Sequence, residues 1–279
     1  VTLAGGRRLG YREFGDPAGY PVIGCHGGLV CGLDLSPADS PARALALRLI
    51  APDRPGIDLS DPQPARDLLG WAGDVRELAD QLGLKRFGVL GWSMGGQYAL
   101  ACARALAGRV TGASIIAGCL PLNGSATYAR LNPMDRRFSE LADRHPHEAK
   151  ATFQAMGELA HHAPHAYNAM SARGLCQADA QAVHDLPDPG LAGMAAPALL
   201  SGDGMVEEYR AWLRPWGFEL ADVAVPTAIW HGDDDTLVPP EWARAMAGQI
   251  PGAVLHHVPG AGHMLAWGRY EEILRDFLP

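Results

Sequence analysis

The chain has 279 residues, 48% of them apolar and 19% charged, with a formal net charge of −8. That length and apolar share exclude a mainly disordered chain and suffice for one large α/β core with or without an insertion. The acidic balance, with no basic arm or stripe, argues against nucleic acid and anionic membrane as partners, which leaves a small-molecule partner, with self-association left open.

Taken in order, short apolar β-branched runs alternate with Ala- and Leu-rich helical stretches, the pattern of a mostly parallel sheet flanked by helices. Strands are expected at 1–3, 8–14 and 22–25, then a helix over 41–49 and a strand near 49–52. Val75, Leu78, Ala79 and Leu82 mark the apolar face of a helix over 71–82, ended at Gly83, before a strand at 87–90. A small-residue helix over 94–106 and strands at 113–117, 225–230 and 253–258 follow, closed by a helix over 270–277. The stretch 120–222 breaks this alternation; rich in Ala, His, Met and aromatic residues, it reads as an inserted helical lid. The expected division is therefore core 1–119, lid 120–222 and core 223–279.

The first thirty residues carry Gly6, Arg7, Arg8, Asp16 and Pro17 and hold no continuous apolar h-region, and no stretch approaches the roughly twenty apolar residues of a membrane span, so the cytoplasm is the expected location. Cysteines 25, 31, 102, 119 and 176 form an odd set without a C-x-x-C pair, read as reduced thiols mostly in the core. His161, His162 and His165 lack the companions of a zinc site and read as a solvated helix end, so no metal is expected.

Four segments carry chemistry. Gly91-Trp92-Ser93-Met94-Gly95 joins an apolar strand directly to a helix; on so sharp a turn Ser93 needs neighbours without Cβ, and the helix that follows aims free N–H groups at the site. His26-Gly27-Gly28 follows a strand, at the carboxyl end where open α/β sheets bind ligands. Gly260-Ala261-Gly262-His263 follows the last strand, and its place in a Ser, Asp, His chain order selects His263 from eleven histidines as the base for Ser93. The acid must follow a strand of the same sheet; residues 118–134 contain no Asp or Glu and cannot supply it, whereas the turn 232–239, with Asp233, Asp234 and Asp235, can.

These segments resemble the α/β-hydrolase superfamily, and the resemblance extends to Asp53-Arg54-Pro55-Gly56 and to Pro226-Thr227-Ala228-Ile229-Trp230-His231-Gly232. It implies the α/β-hydrolase fold, Asp235 as the acid in a G-x-x-D-x-x-V-P pattern, and an oxyanion hole from the backbone N–H groups of Gly28 and Met94, with Gly27 as second choice. Gly27 and Trp92, beside those donors, are expected to contact substrate. Two positions depart from the family: Asp58 replaces the second glycine of D-R-P-G-x-G-x-S, and Leu29 stands where many members have proline. The resemblance implies a serine hydrolase acting on an ester or lactone of a small, largely apolar substrate without a cofactor. Ser93-Met94-Gly95-Gly96 is also similar to carbon–carbon bond hydrolases and enol-lactonases, and proline iminopeptidases and cofactor-free haloperoxidases share the triad. A ligand-binding protein that keeps the fold without turnover is the rival of another class. Selectivity is expected from Tyr128, Phe138, Phe153, Met156, Tyr167 and Met170, with Trp212, Trp216 and Phe218.

Overall fold

The computed structural model describes residues 1–122 and 124–278. Seven strands, β1 (Tyr11–Gly15), β2 (Tyr20–Cys25), β3 (Leu47–Pro52), β4 (Phe87–Trp92), β5 (Val110–Ile116), β6 (Thr227–Gly232) and β7 (Val254–Val258), form one sheet in the order β1-β3-β2-β4-β5-β6-β7. β1 runs antiparallel to β3 and every other pair is parallel. The chain leaves β2 toward one edge and β4 toward the other, so a crevice opens between their carboxyl ends, where the residues after Cys25 and Trp92 meet.

Before β5 lie α1 (Asp39–Ala44), α2 (Leu68–Gln81) and α3 (Gly95–Ala105). Helix α2 begins three residues before the expected start because the Asp67 side chain caps it, accepting from Gly70 N–H at 2.7 Å, which satisfies one of the free donors of the first turn. Leu68, Trp71, Ala72, Val75, Leu78 and Ala79 form its buried face. Helix α3 is buried from Gly95 to Ala103, which its small residues permit by letting it lie close under the sheet centre. Between β5 and β6 stand α4 (Ser125–Ala129), α5 (Pro133–Arg144), α6 (Pro146–His162), α7 (Pro164–Ser171), α8 (Gln177–Asp185), α9 (Leu191–Leu199) and α10 (Asp203–Trp212), with no strand among the described residues. The order is completed by α11 (Pro240–Gln249) and α12 (Tyr270–Leu274). One core cluster holds α2, α3 and α11 against one sheet face; the other joins α1, α12 and the inserted helices on the opposite side.

The ends of elements differ from expectation for local reasons. Residues 1–3 make no strand; Thr2 forms one bridge with Arg8, and β1 starts only at Tyr11. The helix expected to Leu49 stops at Ala44, because Ala46 turns to a φ of 52° to feed Leu47 into β3. Helix α11, which the alternation did not predict, starts where Pro239-Pro240 supplies a preset φ for a first turn. No helix among the described residues is long and apolar enough to cross a membrane.

Candidate active site

Ser93 sits between β4 and α3 with a φ of 54°, a left-handed conformation that non-glycine residues hold only where the surroundings impose it. Its N–H donates to Ile116 O at the end of β5, 2.8 Å away, which fixes the turn to the sheet. The flanking glycines are required by contact. A Cβ on Gly91 would lie 2.5 Å from Gly95 O, and one on Gly95 would collide with Cys25 O. Helix α3 thus starts against both β4 and the residues after β2.

Those residues, 26–29, are held from below by a buried polar network. Arg54 donates to His26 O at 2.5 Å and to Gly27 O at 2.9 Å, and its own N–H donates to His26 Nε2 at 3.2 Å. With Nε2 an acceptor, Nδ1 carries the proton and donates to Gly27 O at 2.8 Å, since a neutral imidazole has one donor and one acceptor nitrogen. Burial, then the Arg54 charge, hold His26 well below the ordinary imidazole range, so it is a neutral strut. Glu208 of α10 pairs with Arg54 at 2.9 Å and with Arg66, all three side chains being buried. Gly27 N–H donates to Asp34 at 2.8 Å, and Gly27 lies outside the cavity wall, which corrects its expected place against substrate. Gly28 and Leu29 do line the cavity with Trp92, Ser93 and Met94, and neither Gly28 N–H nor Met94 N–H has an acceptor among the described residues. A Cβ on Gly28 would come within 3.2 Å of the Met94 side chain, so the two segments are neighbours across the crevice.

His263, 3% exposed, directs Nδ1 at Asp235 Oδ2, 2.9 Å away. The other oxygen of Asp235 accepts from Leu237 N–H at 2.8 Å and Val238 N–H at 2.9 Å, so the turn after β6 orients its carboxylate. His231 Nε2, at the end of β6, is 3.2 Å from Asp235 Oδ2 and 3.1 Å from Val238 O. Burial opposes the charge on Asp235, but the two imidazoles outweigh it and hold its pKa well below the usual carboxylate range. Burial likewise opposes His263 protonation, and the charge and hydrogen bond of Asp235, joined by Asp179 and Asp135, raise its pKa above the ordinary value. Of the three consecutive aspartates only Asp235 is buried; Asp233 is exposed and bonds His257 at 3.0 Å, and Asp234 is exposed. Trp92 braces the same loop, its indole N–H donating to His263 O at 2.9 Å with the rings 5.5 Å apart. No hydrogen bond joins Ser93 to His263, although both open onto one cavity.

That cavity measures about 640 Å³, and its wall is largely apolar. Phe138, Met156, Tyr167, Met170 and Trp212 of the inserted helices line it, whereas Tyr128, Phe153, Trp216 and Phe218 do not. Phe153 instead stacks on Tyr209 inside the insertion, and Trp216 packs with Phe218.

A model of the alpha/beta hydrolase family matches residues 22–275, from β2 through α12. The chain belongs to that family. It is 28% identical over 217 residues to a proline iminopeptidase from Lactobacillus delbrueckii subsp. lactis, covering 75% of this chain and 70% of that one. Among solved structures it is similar to a thermophilic esterase from Thermogutta terrifontis, with a TM-score of 0.68, 24% identity and coverage of 99% and 95%. It is also similar to the enol-lactonase from Burkholderia xenovorans LB400, with a TM-score of 0.68, 19% identity and coverage of 100% and 98%.

The two departures from the family pattern differ in their conformational basis. Leu29 has a φ of 62°, which the proline ring forbids, so the usual proline has no place here. Asp58 has a φ of 42°, and its carboxylate pairs with Arg12; a glycine would occupy that region of φ freely. Cys31, Asp53 and Asp58 are the one cluster of potential metal ligands among the described residues; both acids are paired with Arg12, and burial pushes the Cys31 thiol up.

Four residues at the site escaped the sequence. Asp135 of α5 lines the cavity, accepting from Tyr209 O–H at 2.7 Å and Asn132 Nδ2 at 2.6 Å. It lies one position beyond the acid-free stretch 118–134, which stops short of this carboxylate. Asn132 caps α5 through Asp135 N–H at 2.9 Å and also donates to Leu237 O in the acid turn at 3.1 Å. His231 was visible only as part of a strand, and Asp179 of α8 as one polar residue of a helix.

Proposed function

We propose that this protein is a serine hydrolase that cleaves a carboxylic ester or lactone of a small, largely apolar substrate. The observation that carries the proposal is a strained Ser93 and a carboxylate-paired His263 opening onto the same apolar cavity. His263 Nε2 takes the Ser93 proton as the hydroxyl attacks the carbonyl carbon. The N–H groups of Gly28 and Met94 receive the oxyanion, helped by the start of α3. His263 then returns the proton to the leaving group, water attacks the acyl-serine, and the acid departs. Asp235 holds the Nδ1–H tautomer and stabilises the imidazolium. The absence of a Ser93–His263 bond accords with catalytic contacts that tighten only when substrate is bound. The inserted helices act as a lid that walls the acyl pocket, and no cofactor enters these steps.

A second reading is favoured by one observation, the Asp135 carboxylate in a largely apolar wall. A carboxylate there suits a substrate carrying an N–H donor near the scissile carbonyl, as in the peptides implied by the relative's name, iminopeptidase. Turnover of p-nitrophenyl butyrate, γ-butyrolactone and prolyl p-nitroanilide, with fluorophosphonate labelling read by intact mass, tests both. Single labelling of wild type, none of Ser93→Ala, and preferred turnover of ester or lactone support the main proposal. Equal labelling of Ser93→Ala removes the nucleophile, and preference for the anilide transfers the assignment to the second reading.

A further inference from the structure

The tie between α8 and the His263 loop has no part in the steps above. Asp179, 1% exposed, accepts from His263 N–H and from Met264 N–H, each at 2.7 Å, one on each carboxylate oxygen. These two donors belong to the residue that carries the base and to its neighbour, and Asp179 satisfies both from a different part of the fold. Gly262 makes the approach feasible. A Cβ there would collide with Asp179 Oδ2 and lie 2.5 Å from Cys176 Sγ, so the glycine before His263 leaves room for α8. The opposite side of the same loop is held by Trp92, through His263 O. The backbone of His263 is therefore clamped between the end of β4 and the insertion.

We propose that Asp179 is a positioning residue for His263, so that the base reaches productive geometry only when α8 is docked on the core. The inference rests on His263 being the base. Its physical content is that two charge-assisted bonds hold a loop of small residues that has little stiffness of its own. A displacement of about 1 Å at such a site costs roughly a hundredfold in rate. Asp179 also places a negative charge against the histidine, beside those of Asp235 on the acid turn and Asp135 on α5. His231, on β6, reaches the same Asp235 oxygen, and Cys119 and Arg173 line the cavity.

The test is Asp179→Asn, which keeps the shape but presents an amide N–H₂ to one of the two backbone N–H groups. Expected are a kcat about 10- to 100-fold lower with KM within about threefold, the split that displacement of the base predicts. The acid limb of kcat/KM moves to lower pH, because loss of a negative charge favours neutral imidazole. Gly262→Ala, which leaves the carboxylate charged but pushes it away, is expected to lower kcat by a similar factor. An unchanged kcat and an unmoved limb in folded Asp179→Asn overturn the proposal, as does loss of the fold in both variants, which assigns Asp179 to stability alone. His263→Ala separates the two levels: an inactive His263→Ala beside an unaffected Asp179→Asn sinks only the positioning role, whereas an active His263→Ala sinks the base itself.

Discussion

Replacing Asp235 with asparagine tests the acid assignment, because the structure dictates which way the amide must sit. Asp235 Oδ1 accepts two backbone N–H groups, from Leu237 and Val238, at 2.8 and 2.9 Å. Only an oxygen satisfies both; an amide nitrogen placed there leaves buried donors unpaired, at about 1–3 kcal/mol each. The nitrogen therefore takes the Oδ2 position, 2.9 Å from His263 Nδ1 and 3.2 Å from His231 Nε2. Facing a donor, His263 Nδ1 becomes an acceptor and its proton moves to Nε2, the nitrogen that must take the proton from Ser93. The charge that stabilises the imidazolium is lost as well. The expected fall in kcat is about 10³- to 10⁴-fold, or about 4–5.5 kcal/mol of transition-state stabilisation. Asp233→Asn and Asp234→Asn are expected within about threefold of wild type, since both side chains are exposed and neither reaches His263. Steady-state kinetics on the three variants with p-nitrophenyl butyrate, with a thermal melt to establish folding, decide the matter. A folded Asp235→Asn within about tenfold of wild type, or a crippled Asp233→Asn, refutes the reasoning.

Three further outcomes are expected. The kcat/KM of the wild type rises with pH through a midpoint above about 6.5, the ordinary imidazole value, because the raised pKa of His263 keeps it protonated to higher pH; a midpoint below that value contradicts the Asp235 pairing. Glu208, buried between Arg54 and Arg66, has its pKa lowered to about 2 from an unfolded value near 4.5, burial being outweighed by the two arginines. A depressed carboxyl stabilises the fold above its unfolded pKa and loses that contribution as pH falls toward the folded one, so about 3 kcal/mol disappears between about pH 5 and 2. Urea melts across that range read the loss, and the same slope in Glu208→Gln refutes it. Gly95→Ala drives a methyl group into Cys25 O and is expected to lose about 1–3 kcal/mol of stability or more, and most of its activity. Wild-type melting and turnover in that variant count against the close approach of α3.

The legible parts of this protein were those encoded by local geometry. The glycines at 91 and 95 signalled a strand meeting a helix too closely for any Cβ, and the contacts to Gly95 O and Cys25 O are the cause. Hydrophobic runs marked all seven strands to within a few residues of their places, with one further strand expected at 1–3 that does not form, and a stretch without strand character marked the helices between β5 and β6. Chain order and small neighbours singled out His263, and resemblance to the G-x-x-D-x-x-V-P pattern singled out Asp235; the structure brings those two within a hydrogen bond of each other. What local pattern does not carry is the partner reached across the fold. Gly27 and Gly28 look alike in sequence, yet Asp34 takes the N–H of one, while that of the other has no acceptor among the described residues. Leu29 reads as a departure until its positive φ, closed to proline, explains it, whereas Asp58 holds a positive φ that glycine would adopt freely and is tied instead by its ion pair with Arg12. Asp135, Asp179 and Glu208 are ordinary helix residues by spacing. Each acquires its role from a neighbour 74, 84 or 154 positions away in the chain, Tyr209, His263 or Arg54, because packing the insertion over the sheet decides which acids lose water and which donors they must satisfy instead.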